Sequence, residues 1–480
     1  MKRTDEPLES EVRPASSDSV ETLEADEEAP PRSVVRRGGT FESFRFRDFS
    51  LFWAGAFVSN TGSWMQNYAL AIVVYGLRRS ALDSGLVNFV SGIPVLFLAL
   101  PAGALADRVD KRRLLIVSQF VLLLQAGALA MLYSGGHLSS ASPVRSLIWI
   151  SGLGLLGGLM SALTFPAWQS LLPDLVTRDA LLNGIALNSA QFQSARMIGP
   201  LVAAAMVLVG AGMGDIFWVN AASFLFVIAA LWAIKPRASH ARDATAATDA
   251  FAPAHGTEGA RDASGASTDR PARESSWRMI TAGLRYAREN RFIGVLIGST
   301  AVMTIFGMPY MMLLPAYADK VLGGGSTMVA YLMTANGFGA IVGALVVASL
   351  PKTVRRERLI PLSLLAFSAL LIAFSLSHSL WLSLVTSAFA GAGVLTVNSL
   401  TNTTIQANVP GRLRGRVMAL FVMAFMGIMP VSSLLFGPIG KAIGPGNAIF
   451  AGALVLLCWS IFLVARPELL DSNEERAARD

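Results

Sequence analysis

Side chains able to hold a ligand recur at helical spacing inside apolar stretches of this 480-residue chain. Asn60, Trp64 and Asn67 are four and three residues apart, so a helix would carry them on one face, with Gln66 one residue round. Asn398, Asn402 and Gln406 repeat at intervals of four. Other stretches offer Thr164, Phe165, Trp168 and Gln169, then Thr300, Thr304 and Tyr310. Amides and aromatics hydrogen-bond and stack; as a set they suit a large amphipathic ligand with polar groups. Taken singly, each amide could equally bond one helix to another, worth about 1 kcal/mol.

Arg196 offers a different chemistry. It is the one base well inside an apolar stretch, with Gln191 and Gln193 nearby and Pro200 four residues on. A lipid-facing arginine at mid-depth costs about 3 kcal/mol on insertion scales, so the side chain should face the protein interior. Pro200 lacks an N–H and frees the carbonyl of Arg196 itself. No acid lies near mid-depth to neutralise the guanidinium. It is a candidate site for an anionic substrate group, or part of a gate; the alternative is a staple between helices.

Bond-making chemistry finds no footing. His137, His240, His255 and His378 stand at no metal-ligand spacing, no Gly-x-x-x-x-Gly-Lys-Ser/Thr phosphate loop occurs, and no Ser-His-Asp set can be assembled. No enzyme, cofactor or metal site is expected. Cys458 is the one cysteine, so no intrachain disulfide is possible.

The elements that must position these side chains are membrane helices. Hydrophobic residues make up 53% of the chain and charged ones only 15%, with a mean hydropathy of +0.53. Soluble proteins carry about 25% charge, so this composition excludes both an ordinary soluble enzyme and a disordered chain. Windows of span length lie near 50–77, 82–106, 113–133, 146–168, 184–210 and 215–235, then 292–317, 327–350, 359–377, 380–404, 416–440 and 446–465. They are too long for barrel strands and do not alternate, so an all-α polytopic protein of about twelve transmembrane helices is expected.

Composition divides the chain further. Residues 1–48 read as a disordered cytoplasmic tail, whose first thirty residues hold ten acids and three bases. Residues 49–236 form one six-helix half and 291–466 the other. Between them, 237–276 reads as a disordered linker rich in Ala, Ser, Thr, Asp and Arg. Residues 277–290 read as an amphipathic surface helix: Trp277, Ile280, Leu284 and Ala287 share a face, and Arg278, Arg285 and Arg288 add charge. A charged tail, 467–480, closes the chain. The first apolar stretch begins only near Phe49, so no signal peptide is expected.

Placing both termini and the linker in the cytoplasm puts twelve Lys and Arg in short inner loops and five in outer loops. That bias follows the positive-inside rule and, rather than nucleic acid, accounts for the net charge of +7. The halves also echo each other. The basic loops 108–114 and 354–359 correspond, and Gln169 to Pro173 repeats the spacing of Gln406 to Pro410. Repeated halves around a midplane cavity are a transporter architecture.

The stretch Gly103-Ala104-Leu105-Ala106-Asp107-Arg108-Val109-Asp110-Lys111-Arg112-Arg113 resembles the signature loop after span 2 of the major facilitator superfamily. Gly103, Asp107, Arg108, Arg112 and Arg113 match; Asp110 stands where the family usually has Gly. A carboxylate at 107 could pair with a base and a helix N-terminus, and the resemblance implies that it helps latch the halves. The alternative is a plain positive anchor. Span 5 resembles the family's antiporter motif in degraded form. Gly199-Pro200 is intact, while Ala186, Ala195, Ala203 and Ala204 replace glycines. Ser59 to Gln66 and Arg196 to Pro200 resemble the branch containing enterobactin exporters and macrolide-efflux-like proteins.

The resemblance implies a fold in which spans 1, 4, 7 and 10 line a central path. Asn60, Trp64, Gln66, Asn67, Trp168, Gln169, Thr304, Asn398, Asn402 and Gln406 then become path residues, joined by Gln191 and Arg196 of span 5. It implies a secondary-active exporter of a siderophore or drug-like compound in a bacterial-type inner membrane. An importer of a small polar solute and a non-transporting scaffold are the alternatives. The expected partners are a small-molecule substrate and the lipid bilayer. Protons stay open as the coupling ion, since the path-lining spans carry no mid-depth carboxylate.

Overall fold

Long apolar runs become helices here because a bilayer offers no partner for an open backbone. The computed structural model describes residues 39, 41–106, 109–234, 276–351 and 354–470. The first half holds α1 (Arg47–Arg78), α2 (Ala81–Ala106), α3 (Lys111–Ser134), α4 (Pro143–Leu175), α5 (Arg178–Leu208) and α6 (Met213–Ala233). A short helix α7 (Ser276–Glu289) precedes the second half. That half holds α8 (Arg291–Lys320), α9 (Ser326–Ser349), α10 (Arg356–Leu376), α11 (Leu380–Asn408), α12 (Leu413–Ile443) and α13 (Pro445–Ala465).

Ten of these helices are long and apolar enough to cross a bilayer. α1 and α5 are long enough at 32 and 31 residues, but their amides and charges dilute their hydropathy. They pack against each other and against the apolar helices, raising the first half from four to six helices to match the six of the second. The two least apolar of the long helices are those that carry Asn60, Gln191 and Arg196.

Two spans are broken by π turns, Met303–Gly307 in α8 and Met423–Gly427 in α12. Each lies just before a proline, Pro309 or Pro430, that cannot donate to the ladder. Ser432 Oγ donates to the carbonyl of Ile305, the one Pro309 leaves unpaired, at 2.8 Å. Thr304 Oγ1 reaches the Phe425 carbonyl at 3.5 Å and ties one π turn to the other.

The halves meet along two glycine seams. In the first, a Cβ at Gly85 would stand 2.6 Å from the Ser433 carbonyl and one at Gly92 2.2 Å from Pro430, joining α2 to α12. In the second, a Cβ at Gly337 would stand 2.7 Å from the Met197 Cα, joining α9 to α5. Backbones come this close only where a side chain is missing.

Some boundaries move. Residues 41–45, expected in the tail, dock on α5, where Ser43 N–H donates to Asn183 Oδ1 at 3.0 Å and Ser43 Oγ to the Ala180 carbonyl at 3.0 Å. The start of the expected C-terminal tail folds as a turn, Pro467–Leu470, that buries Leu469 and Leu470. The surface helix runs one residue earlier than expected, and Gly283 packs on the Arg416 carbonyl at the start of α12. The matched Gln-to-Pro segments differ: Pro173 lies inside α4, whereas Pro410 follows the end of α11. The linker up to residue 275, nearly all of the N-terminal tail and residues 471–480 lie outside the described residues.

Candidate functional site

Gly199 makes the site possible. A Cβ there would lie 2.5 Å from Trp64 Cβ and 2.9 Å from the Thr61 carbonyl, so only glycine lets α5 touch α1 at this level. Ala195 and Ala203, buried on the same helix, keep the seam small. Close approach sets the guanidinium carbon of Arg196 5.4 Å from the Trp64 ring centroid, within range of a cation–π contact. Phe192 meets Trp64 edge to face at 6.1 Å. Below them, Asn60 Nδ2 donates to Gln191 Oε1 at 3.3 Å.

Across the seam between halves, Arg196 Nη2 donates to Asn336 Oδ1 at 2.5 Å. Asn336 is fully buried on α9. Its Nδ2 donates to the Tyr310 hydroxyl of α8 and, at 3.2 Å, to the Ser387 carbonyl of α11. Gly391 of α11 leaves room beneath it, since a Cβ there would stand 2.0 Å from the Asn336 carbonyl. Among the described residues no carboxylate pairs with Arg196. Two donors stay unmatched at buried atoms: Arg196 Nε and Gln191 Nε2, the latter on a side chain that is 1% exposed. A charged group held by neutral dipoles, with spare donors, is set up to receive an acceptor.

A second cross-half cluster sits at the far ends of α1 and α8. Tyr75 donates to Asp319 Oδ2 at 2.7 Å, and Arg79 lies 3.8 Å from Asp319 Oδ1. Tyr68 donates to the Ser326 carbonyl at 3.0 Å. Arg78, by contrast, binds Asp83 of its own half through Nε at 2.8 Å and Nη2 at 2.5 Å.

The residues named from sequence fall into three groups. Asn60, Trp64, Gln191 and Arg196 meet at the α1–α5 contact, and Asn67, exposed, shares the face of Asn60 and Trp64. Gln169 and Gln406 are exposed near the same end of the bundle, one in each half, with Gln406 Nε2 donating to Asn402 Oδ1 at 2.5 Å. Asn398 lies one turn deeper with its Nδ2 unmatched.

Other side chains point elsewhere. Gln66 accepts from Asn220 Nδ2 at 2.8 Å and donates to Gln125 at 3.4 Å, stapling α1 to α6 and α3 within one half. Trp168 packs on Phe52 with the rings tilted and centroids 4.6 Å apart, in that half's own core. Thr304 is fully buried between the π turns. In this structure these three side chains are engaged in contacts between helices. The π turn adds a residue to its helix and so rotates the following face by about 100°, which spacing alone does not register.

In the signature loop, Asp107 and Arg108 lie outside the described residues, as do the surroundings of Gly103. Asp110 fills the place usual for Gly as the N-cap of α3, its Oδ1 accepting from Arg113 N at 2.8 Å. Arg112 caps α6, donating to the Leu231 and Trp232 carbonyls at 2.5 and 2.7 Å, while the Arg113 side chain is exposed. Lys111 donates to the Ser170 carbonyl at 2.8 Å and to Asp174 at 3.2 Å. Among these described contacts the loop's bases tie one half together. Asn336 went unremarked in the sequence, although it is the only Asn or Gln of α9.

Known proteins carry the same organisation. The family model described as "Transmembrane secretion effector" matches residues 38–253 and 261–479. The Staphyloferrin A transporter of Staphylococcus aureus is 26% identical over 387 residues, 80% of this chain and 87% of that one. The multidrug efflux pump Tap of Mycolicibacterium fortuitum is 23% identical over 421 residues, covering 86% and 94%. The enterobactin exporter EntS of Escherichia coli is 23% identical over 412 residues, covering 85% and 89%. Among solved structures, the nucleoside transporter NupG aligns with a TM-score of 0.64 at 11% identity, over 87% of this chain and 98% of that one. A bacterial homolog of the human lysosomal transporter Spinster, inward-facing and unoccupied, aligns at 0.58 and 15% identity, over 88% and 96%. With two six-helix halves, a matched signature loop and a family model spanning nearly the whole chain, this protein belongs to the transmembrane secretion effector family of major facilitator transporters.

Proposed function

We propose that the protein exports a bulky amphipathic compound bearing an acidic group, by alternating access. The observation that carries this reading is the Arg196 guanidinium, held in the membrane interior between the halves by neutral partners alone. Trp64 and Phe192 beside it supply an apolar platform. The siderophore and drug transporters among its relatives support the substrate class. The twelve-to-five charge bias supports placing both termini and the basic loops in the cytoplasm. In that orientation the Tyr75–Asp319 and Tyr68–Ser326 bonds close the outer side, and the exposed Gln169 and Gln406 flank an inner opening. The conformation would then be inward-facing, ready to load from the cytoplasm, with protons a candidate driving ion.

Inverted membrane vesicles test this directly. An energised gradient should drive accumulation of acidic amphipathic siderophores or drugs, and Arg196→Ala should abolish it. Accumulation only in right-side-out vesicles would replace the export reading with import. No gradient-dependent movement of any such compound would leave a scaffold.

A further inference from the structure

We infer that Asn336 is a placeholder acceptor for Arg196, and that an acidic group of the substrate displaces it and so releases α5 from α9. The inference deepens the proposed export of an acidic compound and rests on it.

The geometry of one guanidinium edge carries the argument. Nε–H and Nη2–H lie side by side on the same edge of the planar fork, the edge that takes both oxygens of a carboxylate at once. Asn336 Oδ1 accepts from Nη2, one of the two nitrogens of that edge, at 2.5 Å. The Nε half is buried and has no partner. One amide oxygen therefore half-fills a two-donor site. A carboxylate would fill both positions and supply the missing charge. Gln191, buried on the same helix, holds a second unmatched donor, Nε2, while its oxygen is taken by Asn60.

Asn336 cannot follow the arginine. Its Nδ2 is committed to the Tyr310 hydroxyl and the Ser387 carbonyl, which fix it to the second half. Arg196 belongs to the first half. The bond between them therefore spans the seam where Gly337 meets the Met197 backbone. An anion on the Nε/Nη2 edge competes with Asn336 for Nη2. The anion binds better when α5 and α9 are apart, and that differential affinity is what shifts a two-state equilibrium. The neutral acceptor suits the purpose: strong enough to hold the empty carrier closed, weaker than a carboxylate.

Spin labels on Arg145→Cys and His378→Cys, in a Cys458→Ser background, report the separation of the halves on the side closed by Tyr75 and Asp319. Both positions are exposed, Arg145 in the first turn of α4 and His378 in the loop between α10 and α11, one in each half. In full-length protein without ligand, Asn336→Ala should raise the long-distance population about tenfold. Asn336→Asp, which supplies a fixed carboxylate, should lower it. Arg196→Met tests the same bond from the other half and should match Asn336→Ala. Unchanged distances in all three variants would overturn the latch. Dansyl-phenylalanine, an amphipathic carboxylate, should bind wild type and lengthen the distance, and its methyl ester should do neither. Asn336→Ala should bind it more tightly, and Asn336→Asp should lose binding. Binding to wild type without a change in distance would reject displacement alone. Binding by no form would reject the acidic-substrate reading and displacement with it.

Discussion

The hydroxyl of Tyr75 and the carboxylate of Asp319 are joined at 2.7 Å, one at the end of α1 and the other at the end of α8, so that this hydrogen bond ties one half to the other. Arg79 adds an ion pair to the same carboxylate at 3.8 Å, and its left-handed backbone, φ 48°, ends α1 beside it. Asp319 is 31% exposed, which weakens the pair through solvent screening. The bond and the pair together hold this end closed by about 1–2 kcal/mol.

Removing the hydroxyl or the carboxylate should therefore loosen one end only. Tyr75→Phe and Asp319→Ala should each raise the open population on that side about fivefold or more. Asp319→Asn, which keeps an acceptor for Tyr75, should do less. Distance measurements between spin labels on the two halves check the order. Equal effects for Asn and Ala would show that charge, not the hydrogen bond, closes the end.

Arg196 should be intolerant of its nearest substitute. Lysine keeps a point charge but loses the planar fork, the stacking on Trp64 and the two-donor edge. Arg196→Lys should reduce transport about tenfold, about 1.4 kcal/mol, and Arg196→Ala should abolish it, with membrane expression intact in both. Vesicle transport alongside quantified membrane protein separates the two effects. Full transport by the Ala variant would leave the residue as a staple.

At the α1–α5 contact, packing predicts a sharp contrast between two glycines. Gly199→Ala forces a methyl to 2.5 Å from Trp64 Cβ and should destabilise by about 1–3 kcal/mol. Gly152→Ala meets nothing within 4 Å and should be neutral or slightly stabilising. Thermal unfolding in detergent, followed by loss of helical circular dichroism, reads both.

The signature loop offers a test of anchoring against signalling. Arg112→Ala removes the donors to two α6 carbonyls and should cost about 1–3 kcal/mol of stability. Arg113→Ala removes an exposed side chain and should cost little. Comparable losses for both would argue that loop charge, not the α6 cap, is what matters.

Orientation is checked without purification. A reporter active only outside the cytoplasm, fused after Arg242, should stay silent, because the basic loops on the same side as that position carry most of the short-loop charge. Activity of that fusion would invert the assignment of inner and outer ends.

Sequence by itself determined the class of this protein. A helix in lipid must satisfy its own backbone, so length and apolarity alone located the membrane helices, and the charge bias proposed their orientation. The cost of a lipid-facing guanidinium was enough to turn Arg196 inward. What Arg196 meets there was decided by the tertiary structure. Asn336 lies 140 residues away on the other half, and the two touch because Gly337 admits the Met197 backbone. Spacing along one helix carries no information about a contact made by two. The family resemblance likewise implied that Gln66 and Thr304 line the path. One is drawn into its own half by Asn220 and Gln125, and the other is carried between α8 and α12 by a π turn. A face read from period 3.6 holds only while the helix keeps that period and only until neighbouring helices choose which side to cover.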